Sequence, residues 1–160
     1  MKISFFLIAS FFFFSAAVAV ELHCKFEEVY HDQKQQNGLI LIKNDHVRYQ
    51  YDDKTLFTII KNQYGNYLIP NYQKEKFQKI NNNKIIESLI SIYNDYPDIK
   101  TQYIIEDIFF KIDKSLENNF LKRIAIISDE HNLSIHFFNC HQTNIDKKFF
   151  QAGPFFDFKQ

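Results

Sequence analysis

The 160-residue chain has no tryptophan, one methionine, two cysteines, three glycines and three prolines. Among its 19 basic side chains only Arg48 and Arg123 are arginines. The glycines, at 38, 65 and 153, are too few and too scattered to build a phosphate-cradling loop. GxSxG, HExxH and CxxC do not occur, which removes the best-known hydrolase, zinc-protease and dithiol signatures. The formal net charge is zero, so nothing draws the chain to nucleic acid or to an anionic membrane surface. The carboxylate neighbours Glu106-Asp107 and Asp129-Glu130 read as solvated loops or strand edges rather than as acid–base pairs. The expectation is a protein that is not an enzyme and needs no cofactor.

Long apolar runs are also scarce, and the one present stands at the start. Lys2 precedes an apolar stretch from Ile3 to Phe14, and Ala17-Val18-Ala19 follows as a small-x-small cleavage site. Residues 1–19 are therefore read as a signal peptide cut near Ala19, the stretch being too short to read as a spanning helix. A retained signal anchor is the alternative. Cys24 is preceded by Leu22-His23, where a lipid-acceptor cysteine would need a small residue, so lipidation is rejected. The remaining chain, 20–160, suits one domain with one core. Export makes a Cys24–Cys140 disulfide the favoured pairing, with two buried free thiols as the alternative.

What is abundant is β-branched and aromatic. Leu22 to His31 alternates, with Leu22, Cys24 and Phe26 on one face. A polar stretch from Asp32 ends in the turn dipeptide Asn37-Gly38, and Leu39 to Ile42 is an apolar strand. Strands follow over 46–52, 55–61, 67–69 and 72–80, joined by turns so short that neighbours must be antiparallel. Asn83 caps a helix over 84–94, whose Ile85, Ile86, Leu89, Ile90 and Tyr93 form one apolar stripe. Strands over 103–112, 121–128 and 133–139 complete the pattern. The fold class expected is α+β: a curved antiparallel β-sheet, unclosed and half-barrel-like, with one main helix packed on the concave face. One helix is little filling for so long a sheet, which leaves room for a cavity. Phe26, Leu41, Tyr49, Tyr51, Phe57, Ile59, Leu89 and Phe137 are the candidates to line it for an acyl chain, an ordinary solid core being the alternative.

Two further groups stand out. His23-Cys24 and Cys140-His141 mirror each other, but neighbours on a strand point to opposite faces, so neither pair converges on an ion and no metal site is expected. Arg48 sits within "IKNDHVRYQYDD", where a lysine would serve at a surface; a guanidinium offers five donors in a rigid fork.

The order of these elements resembles the LolA-like family of periplasmic outer-membrane lipoprotein carriers. The likeness lies in "NGLILIKNDHVRYQYDD", a glycine-led strand followed by an Arg-aromatic-x-Tyr strand, and in "TLFTIIKNQYGNYLIPNYQKEKFQKI" before the helix. It continues in "LKRIAIISDEHNLSIHFFNCHQTNIDKKFFQAGPFFDF", where Asn144, Phe150, Pro154 and Asp157 align with the family pattern. The resemblance covers most of 22–158 and implies a periplasmic monomer. It would carry lipoprotein acyl chains or lipids from an inner-membrane release complex to an outer-membrane receptor. It implies that Arg48 is a lid latch, holding backbone carbonyls at the C-terminal end of helix 84–94 or its following loop; an arginine exposed on the convex face is the alternative. The sequence departs from the family in lacking an amphipathic helix before the first strand and a proline before the arginine strand. It also carries Tyr49 where the family has Trp, and lacks the late-hairpin glycine near His131-Asn132. The alternative function is an exported structural or protein-binding domain that keeps the fold without a lipid cavity.

Overall fold

A computed structural model describes residues 21–152, apart from 74, 75, 82, 97, 117–120 and 130. The proposed signal segment, Pro154 and Asp157 lie outside the described residues. The strands are β1 (Glu21–Tyr30), β2 (Gln35–Lys43), β3 (His46–Tyr51), β4 (Phe57–Asn62), β5 (Gly65–Pro70) and β6 (Gln78–Ile80), then β7 (Gln102–Ile105), β8 (Ile108–Lys114), β9 (Leu121–Ile127) and β10 (Asn132–Gln142). Helix α1 (Lys84–Asn94) stands between β6 and β7, and a short 3-10 turn covers Lys147–Phe150. All ten strands form one antiparallel, curved sheet in the order β6-β5-β4-β3-β2-β1-β10-β9-β8-β7. The order is linear, so the sheet is not closed. It is two meanders, β1–β6 and β7–β10, joined where the first strand pairs with the last.

Strand alternation gives the sheet two different faces. Leu22, Cys24 and Phe26 of β1, Ile40 and Ile42 of β2, and Val47, Tyr49 and Tyr51 of β3 point to the concave side. Ile108, Phe110, Ile112, Ile124, Ile126, Ile135 and Phe137 continue that surface through β8, β9 and β10. Helix α1 lays Ile86, Leu89, Ile90, Ile92 and Tyr93 on it, and the whole is one buried cluster. Removing this much apolar surface from water is the main force holding helix to sheet. The helix begins where expected, with the Asn83 side chain accepting from the Ile86 amide at 3.1 Å. On the opposite, convex side a smaller cluster of Leu39, Leu41, Ile145 and Phe150 buries the chain's C-terminal segment.

Three sequence expectations are corrected. Asn37-Gly38 is not a turn: β2 starts at Gln35, and the reversal comes earlier, around Gln33, whose φ is +66°. Gly38 is instead a place of close approach, where an added Cβ would come within 2.1 Å of the Gln50 carbonyl oxygen and 2.5 Å of the Phe26 ring. Of the strand expected over 72–80, Gln78–Ile80 is strand, while 72, 73, 76 and 77 are not. The run 103–112 is two strands, because Glu106 takes a φ of +52° and turns the chain between them.

Candidate functional site

The candidate site is the concave face beneath α1. Seven of the eight side chains expected to line a cavity lie there: Phe26, Tyr49, Tyr51, Ile59, Leu89 and Phe137 belong to the buried cluster and Phe57 packs against it. Leu41 is the exception. It is one residue out of phase with Ile40 and Ile42, and strand alternation sends it to the convex cluster. The Phe26 ring stacks on Tyr49 with centroids 4.1 Å apart, and Tyr51 meets both rings edge-on.

A charged residue lies within this apolar face. Glu28 continues the inward series of Leu22, Cys24 and Phe26 and is buried. Its carboxylate accepts from the hydroxyls of Tyr30 at 2.5 Å, Tyr49 at 2.6 Å and Tyr51 at 2.9 Å. Burial, then the nearby Glu28 charge, drives the Tyr49 and Tyr51 phenols well above their ordinary pKa. The period of two in "LHCKFEE" was the signal that could have found Glu28. Tyr93 of α1 carries a second buried polar atom, a hydroxyl with no hydrogen-bond partner among the described residues, and burial alone raises its pKa.

Polar ties hold the helix at both ends. Near its start, Glu87 forms an ion pair with Lys61 and accepts from Asn66 at 3.3 Å, while Lys84 pairs with Glu106 at 2.8 Å. Past its end, Tyr103 of β7 donates to Asp95 at 2.8 Å. A surface groove of about 230 Å³, lined by Lys84, Asp107, Ile108, Ser128, Asp129 and His131, opens beside the start of the helix and reaches Ile108 of the buried cluster.

Arg48 does not face α1. It shares the convex side with His46 and Gln50, donates to the Gln50 side chain at 2.8 Å and gives a second N–H to the Phe149 carbonyl at 3.1 Å. It is buried all the same, with 4% of its surface exposed. The guanidinium does hold a backbone carbonyl, but one in the C-terminal segment and not at the end of the helix. Three other ties lace that segment down: Lys43 to the Ile145 carbonyl at 2.7 Å, the Ile145 amide to Glu21 at 2.7 Å, and Asn62 to the Phe150 carbonyl at 2.8 Å. The Lys43 ammonium and the Ile145 amide lower the Glu21 pKa.

Cys24 and Cys140 are joined by a disulfide that crosses from β1 to β10. Beside it, on the other side of the sheet, His23 and His141 are direct cross-strand partners with ring centroids 4.7 Å apart. Local pattern could not reveal this pairing, which depends on a contact 118 residues apart in sequence. Among the described residues no group of three or more His, Cys, Asp or Glu could hold a metal ion, and no helix is long and apolar enough to cross a membrane.

No family model matches the chain, and no curated protein matches it. Among solved structures it is similar to a LolA superfamily protein from Nitrosomonas europaea, at 8% identity and a TM-score of 0.42, over 83% of this chain and 90% of that one. A likeness at that identity and score carries no functional weight.

Proposed function

We propose that the protein is an exported, non-catalytic carrier that binds acyl chains of lipoproteins or lipids between α1 and the concave face of the sheet. One observation carries this reading. An apolar surface spread over an open sheet is covered by a single helix of 11 residues, strung between the two edge strands β6 and β7. A cover tethered at both edges can rise without the sheet coming apart, and the surface it leaves suits hydrocarbon. Each methylene buried there would contribute about 0.8 kcal/mol. The Tyr93 hydroxyl, without a partner among the described residues, offers one donor to a carbonyl of the bound acyl group. The disulfide supports an oxidising compartment such as the periplasm. In this reading the protein works as a monomer, loaded at the inner membrane and emptied at the outer one.

The tight burial of Phe26, Leu89 and Phe110, each 0% exposed, favours a second reading: a structural or protein-binding domain with a solid core. Native mass spectrometry of the exported protein after gentle extraction separates the two. The carrier reading expects co-purifying lipid. It also expects faster amide exchange in α1 when a short-chain phospholipid is added below its micelle-forming concentration. A protein that emerges empty and whose helix ignores the phospholipid is not a carrier.

A further inference from the structure

We propose that His23 and His141 form a site for one divalent transition-metal ion, Zn²⁺ or Cu²⁺, on the convex face of the β1–β10 pair. The two residues are direct partners across antiparallel strands, and His23 Nδ1 lies 3.3 Å from His141 Nε2. Two imidazole nitrogens bound to one tetrahedral ion at about 2.0–2.1 Å stand about 3.3 Å apart, so the observed spacing already matches a chelating pair. The supporting contact on His141 is also of the kind that metal-bound histidines use. Its Nδ1 is 3.1 Å from the Asn139 carbonyl oxygen, an acceptor, so Nδ1 carries the hydrogen and Nε2 presents its lone pair. Asn139 aims that carbonyl from a φ of +52°, where the β1–β10 register shifts.

In the metal-free chain His23 Nδ1–H donates to His141 Nε2. Binding an ion requires His23 to switch its hydrogen to Nε2, a tautomer change with no net proton released. The Cys24–Cys140 link, one residue from each histidine, fixes the two strands and so preorganises the pair. Among the described residues no third protein ligand joins them, and water completes the coordination. Neutral imidazole favours Cu²⁺ and Zn²⁺ among the common divalent ions, with Cu²⁺ the tighter.

The test is titration of the full disulfide-bonded chain with copper sulfate, and separately with zinc chloride. The expected result is one ion per chain, with a Cu²⁺ spin-resonance spectrum showing two coupled imidazole nitrogens. His23→Gln and His141→Gln should each lose no less than the about tenfold in affinity that even an outer-shell partner is worth. His31→Gln, in an exposed turn, should lose none. In the wild-type chain, which needs no variant to fold, substoichiometric Cu²⁺ should broaden the ring protons of His23 and His141 before those of the other histidines. Equal affinity in all four proteins, equal loss in His31→Gln, or broadening that starts at another histidine would overturn the assignment.

Discussion

Glu28 shows what one buried carboxylate demands of an apolar face. A carboxylate buried beside Phe26 would be very costly alone, and three phenols replace the water it lost. Glu28→Ala removes the acceptor and leaves donors without partners, so the folded state should lose about 3 kcal/mol, read from the shift in urea midpoint at pH 7. A loss under about 0.5 kcal/mol would mean that the phenols find other acceptors. The same cluster sets an alkaline limit. Burial raises the pKa values of Tyr30, Tyr49 and Tyr51 in this cluster and of Tyr93 on α1, so the folded chain keeps protons that the unfolded chain sheds near pH 10. Stability is therefore whole below about pH 10 and falls as pH climbs above it. Phenolate absorbance at 295 nm should rise in two stages, exposed tyrosines first and these four only on unfolding. A single smooth titration with the fold intact would contradict their burial.

At the level of elements, local pattern served well where partners are local. Helix α1 has the bounds that its apolar stripe and Asn83 cap predict, because stripe, cap and stop all lie within a dozen residues. Alternation also assigned the inward residues of β1. It could not place Leu41, since a strand buried on both faces gives no period to read. Arg48 was legible as an unusual residue but not in its role, because Phe149 lies 101 residues away in sequence. Its position now gives a different expectation. Arg48→Leu should release the C-terminal segment, raising amide exchange over 145–151 and leaving α1 protection unchanged. Faster exchange in α1 with 145–151 unaffected would restore the latch on the helix.

For the whole molecule, the decisive contact is the least local one. The meanders follow from short turns, but nothing in local pattern says that β1 pairs with β10. The disulfide strengthens that joint, closing a loop across a sequence separation of 116 residues. In the chain-entropy picture a bridge of that span is worth about 4–5 kcal/mol, so the Cys24→Ser, Cys140→Ser double variant should unfold at correspondingly lower denaturant. A variant as stable as the parent would show that the strand pairing suffices alone. The free edges ask for little protection, since β6 has three residues and β7 four, too short to template another chain.

That strand order has a consequence for the time of folding. Synthesis runs from β1 to β10, so the first strand made waits for the last before one of its two edges is filled. Each half can zip from its own turns, but the halves cannot join until nearly the whole chain exists, and such distant pairing is slow. If the chain is exported as proposed, it would emerge as two unjoined ladders with bare apolar faces, the state most open to aggregation. The arrival of Cys140 beside Cys24 ends that interval, and oxidation of the pair makes the ending hard to reverse.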